Sequence, residues 1–486
     1  MRFNLFPTGA FQDDAHYVML AEALATGQGY VLPHEPTPRF HGEFPPGWPL
    51  LLTPISLMIP GQYDSIKLMT SFFWLGSLFL IIPFYLNRLP PVGAFICFAL
   101  VAINPELIFY STTLMAEISF LFFTFLVFYL LDQVDYHKPI VYHLVLICVL
   151  AFFAQLIRTI GITLFASAII WIMFHLVKSK KYQQSGIIFG VGIVLMLMQI
   201  AFNANAGGAI FSQGYEQQVF TSSLYERLGQ VFSNAREYAA GKLTYPVLPL
   251  MSQSFSDWLW ARNLIGLKHL YTLAFLTVLA VGFISRLIKF SILELYLILY
   301  TVGVLSFWNP VVGSAQMRFV IPLVPFLIYY FVVGGSIIIG KFKNNQAKKN
   351  ICSILVFLLV IVSITRNIEA IQHPIRNYFT DLSIGRIWIQ KNAPLDSIIM
   401  TPNPIPDYLY VRRKTISYPI VEAQVQQSDF ELADYVLIAP PLKFPPATEL
   451  STEQQQQFGF LSLRDSGFTL AWLNAEKSVY VFRRNP

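Results

Sequence analysis

Charge is what this chain has least of. Only 12% of its 486 residues are Asp, Glu, Lys or Arg, about half the roughly 25% of an ordinary soluble domain. That shortage excludes a large water-soluble core. Cysteine is scarce too: Cys97, Cys148 and Cys352 all lie in apolar stretches with no metal-ligand spacing. They exclude a disulfide framework and read as small hydrophobes. The opening "MRFNLFPTGAFQDD" leaves no room for a charged start, an apolar run and a cleavage site, so no cleavable signal peptide is visible. There is no internal repeat, and no low-complexity tract beyond "EQQQQF". The missing repeat counts against a transporter built from inverted halves.

What the chain has in quantity is apolar residues, at 55%. They fall in runs of the length a polytopic membrane protein needs. About ten spans are predicted: 65–86, 91–105, 117–131, 140–157, 160–177, 186–203, 267–285, 290–307, 319–340 and 351–365. The net charge of +6 is no nucleic-acid footprint, because its cations cluster in short loops between these runs. Alternation from an outward N-terminal segment puts Arg88, Lys138, Lys178, Lys180, Lys181, Arg286, Lys289, Lys341, Lys343, Lys348 and Lys349 inside. The short outer loops carry chiefly Arg158 and Arg318. The positive-inside rule then places the C-terminal tail outside.

The expected fold is mostly α, a polytopic transmembrane helical bundle with amphipathic surface helices in its outer loops and a small C-terminal α/β domain. Residues 1–365 form the membrane domain, with a first outer loop at 10–64 and a large one at 204–266, and residues 366–486 form the outer domain. In the latter, "SIGRIWIQKNAP" reads as a helix, and "SIIMTPN", "YLYVRRKT", "DYVLIAPP" and "SVYVFRR" read as strands.

The candidate chemistry lies in the outer loops. In "AFQDDAHYVMLAEALATGQGY", Asp13 and Asp14 precede Tyr17, Leu20, Ala21 and Leu24 at helical spacing. Taken alone, such a pair reads as a helix cap that satisfies free N–H groups and complements the dipole. "PPGWPLLLTP" is a proline-braced turn, either a rigid loop or one folding back over the membrane. Glu117 in "NPELIFYSTTLMAEISF" stands at the edge of an apolar run, where an ionisable group is costly and marks function unless it reaches up to water. Arg158 in "AQLIRTIGITLF" and Arg318 in "GSAQMRFVIPLVPF" stand at outer span ends. They either snorkel to headgroups or grip a lipid phosphate with their fork of donors. Carboxylates and arginines at one membrane face suit sugar transfer from a lipid phosphate: a carboxylate takes the proton of an attacking hydroxyl, and a neutralised phosphate leaves readily.

These motifs together, "DDAHYVMLAEALATGQGY", "FPPGWPLLLTP", "NPELIFYSTTLMAEISF", "RTIG" and "QMRFVIPLVP", resemble the integral-membrane glycosyltransferases of the GT-C fold. Within them they resemble the branch of protein O-mannosyltransferases and lipid A aminoarabinose transferases (glycosyltransferase family 39-like). The resemblance covers most of residues 10–340. It implies an inverting transfer from a polyprenyl-phosphate sugar to a lipid, protein or glycan acceptor on the outer face of a bacterial inner membrane. It implies a catalytic role for Asp13, Asp14 and Glu117, with one of the pair, Asp13 before Asp14, the general base or the residue that positions the acceptor, and Glu117 a metal ligand or an acceptor contact. Arg158 and Arg318 would hold the donor phosphate, and Tyr17, His41 and Glu43 are contacts of the acceptor or of the loop. Some relatives use a divalent metal (Mg, Mn or Zn) and others none; here Asp13, Asp14 and Glu117 would be its ligands. Family members carry a membrane span before the acidic motif, whereas 12 residues precede Asp13. The expectation is that the chain starts further upstream or that this loop is anchored differently. The competing functions are a transporter or flippase of a lipid-linked glycan, and a non-catalytic assembly subunit.

Overall fold

In the computed structural model of the protein, the residues described are 6–205, 223–248, 262, 265–306, 316–341, 344–372, 380–418, 430–439, 450–463, 466–476 and 478–485. Contacts divide the chain into two compact units. One comprises Met1–Phe44, Pro49–Leu68 and Ile371–Pro486; the other comprises Pro45–Trp48 and Met69–Ala370. Residues 10–44 and 49–64 thus fall in one unit with Ile371–Pro486.

The helices run α1 Asp13–Ala25, α2 Gly47–Met58, α3 Leu68–Leu86, α4 Pro91–Ala102, α5 Pro105–Tyr110, α6 Glu117–Leu131, α7 Val141–Ile157 and α8 Ile162–Lys178. They continue with α9 Tyr182–Ala204, α10 Leu224–Glu237, α11 Ile265–Leu287, α12 Ile292–Ser306, α13 Val324–Gly340 and α14 Asn345–Gln372. Among the described residues, six helices are long and apolar enough to cross a membrane: Tyr63–Leu86, Thr159–Lys178, Tyr182–Ala204, Gly266–Leu287, Met317–Gly340 and Ser353–Gln372. The other four expected spans coincide with α4, α6, α7 and α12, all shorter apolar helices. At 1.5 Å per residue such helices cover ~18–26 Å, short of a ~30 Å hydrocarbon layer. The protein is a multi-pass membrane protein. Large apolar side chains point outward along its helices, Phe72, Phe79 and Phe95 among them, where lipid solvates them.

Aromatic rings fill the interior of the helical unit. Phe84 meets Phe125, Phe128 and Phe326 at centroid distances of 5.1, 5.8 and 5.5 Å, within the range of favourable edge and offset packing. The Tyr85 hydroxyl, fully buried, donates to the Pro325 carbonyl at 2.7 Å. Small residues set the closest helix crossing: a Cβ on Gly282 would run into the Tyr330 carbonyl, and one on Gly334 into the Val278 carbonyl. In lipid, helices associate through such backbone-to-backbone approach. Cys97 and Cys148 are buried free thiols; the side chain of Cys352 lies outside the described residues.

Within the large loop expected at 204–266, residues 206–222, 249–261 and 263–264 lie outside the described residues. Of the expected surface helices, α10 is present. Ser223 and Glu226 close a reciprocal capping box at its start, and Tyr225, Leu228 and Phe232 are exposed along it.

The other unit contains α15 Thr380–Asn392, α16 Pro404–Val411, α17 Thr452–Leu461 and a five-stranded sheet of order β2-β1-β3-β5-β4. The strands are β1 Ile398–Thr401, β2 Lys414–Ser417, β3 Tyr435–Ile438, β4 Phe468–Leu473 and β5 Tyr480–Arg484. β2, β1 and β3 pair in parallel and β3, β5 and β4 antiparallel. The expected helix and the β1, β3 and β5 strands are present. "YLYVRRKT" is corrected: its first half is the end of α16, which starts on Pro404 and closes at Arg412 in the left-handed region (φ 55). Asp407 of α16 is fully buried and accepts from Arg386 Nε at 2.6 Å and from the Thr401 hydroxyl. That polar knot gives the segment a helical place a strand pattern could not reveal. The run "EQQQQF" is α17, capped by Ser451, with Gln454 donating to the Ala439 carbonyl at 2.7 Å.

Gly334→Ala is expected to lower stability by ~1–3 kcal/mol through overpacking, read as a fall in the thermal unfolding midpoint in detergent. Gly335→Ala, with open space around its Cβ, is expected to be neutral or slightly stabilising; equal losses in the two variants would contradict the crossing.

Candidate active site

Two helix ends in the helical unit carry the charged residues that the sequence singled out. α7 and α8 are separated by Arg158, whose backbone is extended (φ −142, ψ 132) before the 3₁₀ turn Thr159–Gly161. Gly161 makes the break tight: a Cβ there would lie 2.6 Å from the Ala154 carbonyl oxygen. The chain therefore doubles back at once and pushes the Arg158 side chain aside. On the neighbouring helix, Glu117 opens α6 and is 1% exposed. Arg158 Nη1 and Glu117 Oε1 form an ion pair. Burying either charge alone would be costly, and each makes the other tolerable.

The proline-braced turn supports both ends. Gly47 abuts the backbone of Leu156 and Ile157, where a Cβ would come within 2.6 Å. Trp48, fully buried, donates from its indole Nε1 to the Leu114 carbonyl at 2.9 Å, three residues before Glu117. So "PPGW" braces the last turn before Arg158 and the hairpin before Glu117.

Arg318 joins the same group. It lies in the 3₁₀ turn Met317–Phe319 ahead of α13. The Phe319 ring lies 5.5 Å from the Arg318 guanidinium carbon and 5.8 Å from that of Arg158, so one aromatic face is shared by both cations. Tyr110, the last residue of α5, is within electrostatic reach of all the charges. Burial pushes its phenol well above the ordinary value; Glu117 and Glu106 push the same way, and Arg318 and Arg158 oppose them. The other end of α5 is pinned by Asn104, which accepts from the Glu106 and Leu107 amides and donates to the Pro246 carbonyl. Arg366 of α14 reaches Glu106 at 3.8 Å and bonds the Tyr245 hydroxyl. Glu117, Arg158 and Arg318 are thus brought together. Trp48, Tyr110, Phe319 and Arg366 are partners the sequence reading missed. Only Arg366, a cation near the end of an apolar run, carried a signal that could have found it.

The aspartate pair belongs to the other unit and divides its labour. Asp14 is buried and its carboxylate is spent on backbone: Oδ2 accepts from the Gly9 amide at 2.7 Å, and Oδ1 from Phe11 at 3.2 Å and Ala15 at 3.1 Å. The turn wound around it needs Gly9 at φ 98, where a Cβ would meet Pro406 at 2.7 Å, and Gln12 in the left-handed region at φ 60. Burial outweighs the hydrogen bonds and raises the Asp14 carboxyl from 3.8 to about 6, with Asp13 adding to the rise. Asp13 is half-buried beside it, at the first position of α1.

The expected contact residues gather round Phe44. Tyr17 meets its ring edge-on at 5.3 Å; His41 stacks on it at 5.6 Å and accepts from its amide through Nε2 at 3.3 Å. Tyr30 donates to its carbonyl at 2.9 Å. His16 packs on the same ring at 4.6 Å with Nδ1 donating to the Gln12 carbonyl. Burial lowers the imidazole of His16, that of His34 to about 4 and that of His41 to about 3, so all three are neutral near pH 7. Glu43 is exposed.

Among the described residues, no group of three or more His, Cys, Asp or Glu is arranged to hold a metal ion. Of the three expected ligands, Asp14 is engaged with three amides and Glu117 with Arg158. That donor set does not fit a divalent metal.

The architecture is the GT-C fold of integral-membrane glycosyltransferases. The crystal structure of ArnT from Cupriavidus metallidurans in the apo state is similar with a TM-score of 0.57 at 10% identity, covering 96% of this chain and 92% of that one. The same protein bound to undecaprenyl phosphate gives 0.56 at 9% identity, covering 99% and 95%. The Archaeoglobus fulgidus oligosaccharyltransferase, in complex with Zn and sulfate, gives 0.54 at 13% identity, covering 87% of this chain and 63% of that one. No family model and no curated protein matches the sequence.

The raised Asp14 carboxyl makes a pH prediction. Because its folded value lies above its unfolded one, the stability it contributes is complete below about pH 3.8 and is lost as pH rises through about 6. The lowered histidines act oppositely, costing stability as pH falls below about 6.5. Asp14→Asn cannot titrate, so the advantage of the wild type over it is expected to be largest below about pH 4 and to be lost as pH rises through about 6. Subtracting its pH–stability curve from that of the wild type should leave a difference that shrinks between about pH 4 and 6; a flat difference would contradict the burial.

Proposed function

We propose that the chain is an inverting glycosyltransferase that moves a sugar from a polyprenyl-phosphate donor to a hydroxyl acceptor on the outer face of a bacterial inner membrane. The observation carrying this reading is the Glu117–Arg158 pair beside Arg318, with both arginines on Phe319, in a chain whose fold is that of ArnT. Two guanidinium groups at apolar helix ends suit a phosphate on a lipid, because they offer forked donors where little water competes. The distribution of basic loops supports an outward C-terminal unit.

In this reading the acceptor oxygen attacks the anomeric carbon as the carbon–oxygen bond to phosphate breaks. The hydroxyl proton passes to Asp13, and polyprenyl phosphate leaves with its charge countered by Arg158 and Arg318. Asp14 holds the turn before Asp13, and Glu117 holds Arg158. Tyr17 and His41 seat Phe44 ahead of the proline turn. The hydroxyl-bearing acceptor is a lipid, a protein or a glycan.

The test is transfer by the purified protein in nanodiscs, supplied with polyprenyl-phosphate sugars and candidate acceptors and read by mass spectrometry. Asp13→Asn should reduce turnover by about 10²-fold or more, the usual worth of a general base, with an unchanged unfolding midpoint. Full turnover in that variant would remove Asp13 as the base, and sugar crossing the bilayer without appearing on an acceptor would favour a transporter. Arg158→Ala leaves Glu117 buried without its cation and is expected to cost ~3–5 kcal/mol of stability as well as donor binding.

A further inference from the structure

We infer that Tyr238 and Tyr300 are positioning residues for Arg318, holding the backbone on both sides of it so that its guanidinium is presented to a lipid phosphate in one place. The inference rests on the donor reading above. Its evidence is a pair of hydrogen bonds from separate elements to one short turn. The Tyr238 hydroxyl donates to the Gln316 carbonyl at 3.0 Å, and the Tyr300 hydroxyl donates to the Phe319 carbonyl at 2.9 Å. Those carbonyls lie two residues before and one residue after Arg318. Gln316 also accepts from the Phe319 amide at 3.2 Å, so the bond that closes the 3₁₀ turn and the bond from Tyr238 meet on one oxygen.

A turn of three residues has too few internal hydrogen bonds to hold one geometry by itself. Here the restraint comes from outside it. Tyr300 is fully buried on α12 and Tyr238 is 6% exposed, so water competes little with these carbonyls for either phenol. Tyr238 opens a π turn, Tyr238–Lys242, that follows α10 and contains Gly241 at φ 140. Such wide turns cost stability and recur where a side chain must be aimed. α10 is itself tied to α12, since Asn234 donates to the Leu305 carbonyl at 2.8 Å. Tyr238 thus follows directly on a helix that is tied to the one carrying Tyr300, and the turn hangs between their hydroxyls. Phe319, whose carbonyl Tyr300 holds, is the ring on which Arg318 and Arg158 both rest. Fixing this residue fixes the spacing of the two cations.

The full-length protein in detergent is titrated with undecaprenyl phosphate and, separately, with undecaprenol, and bound lipid is read by native mass spectrometry. Tyr238→Phe and Tyr300→Phe should each weaken undecaprenyl phosphate binding by roughly 3–10-fold, the worth of one hydrogen bond, without changing undecaprenol binding. The double variant should approach Arg318→Ala, and adding Arg318→Ala to it should cost nothing more. Tyr85→Phe removes an equally buried hydroxyl-to-carbonyl bond elsewhere in the helical unit and should bind as wild type does. If both Phe variants bind phosphate normally while Arg318→Ala does not, the positioning role is overturned and the donor reading stands. An equal loss in Tyr85→Phe would overturn the role too, by showing general loosening. If Arg318→Ala binds like wild type, the donor reading of Arg318 falls, and the inference with it.

Discussion

The ion pair between Glu117 and Arg158 is the constraint around which the helical unit is arranged. Neither charge could stay at the start or end of an apolar helix alone. The features that place them are correspondingly strict. Gly161 allows the chain to reverse directly after Arg158, Gly47 lets the proline turn lie on the preceding backbone, and Trp48 fastens the hairpin before Glu117. The two glycines are close approaches of backbone that a larger side chain would prevent, and Trp48 adds a buried hydrogen bond. The pair is thus the product of three tight contacts, and the second arginine is added by a turn tied on through its carbonyls.

The aspartate pair shows the complementary arrangement. A carboxylate buried among backbone amides is a structural element, because its hydrogen-bonding capacity is consumed and its proton affinity is set by burial. Asp14 has that character, and it organises the turn before α1. The same unit ties chain ends together. Arg412, left-handed at the end of α16, forms a forked pair with Glu22 at 2.7 and 3.0 Å, and Lys414 donates to the carbonyls of Pro33 and Glu35. The early loop is ordered by residues nearly 400 positions away.

Much of the helical architecture was legible because apolar runs and charge breaks are local signals. Each predicted span has a helix, and Arg158 marks the break between α7 and α8. Lengths were less legible: α4, α6, α7 and α12 are shorter than a full crossing, and α4 starts on Pro91. In the C-terminal residues, β1, β3 and β5 could be read from β-branched and aromatic runs. The segment 408–415 could not, because α16 owes its helix to Pro404 and to the buried Asp407, which pairs with Arg386 from another helix. β4 escaped notice because its exposed face makes "FTLAWL" look like ordinary loop beside the stronger strands.

By itself the sequence determined that this is a membrane protein, where its apolar helices lie, and which few ionisable residues stand out against them, since each of these depends on composition within one window of the chain. Tertiary structure alone decided that Glu117 meets Arg158, that Arg318 shares Phe319 with it, that Asp14 faces amides, and that Tyr238 and Tyr300 hold a distant turn. Those partnerships join residues as distant in sequence as Arg158 and Phe319, and nothing local distinguishes a tyrosine that grips a carbonyl from one that only fills space.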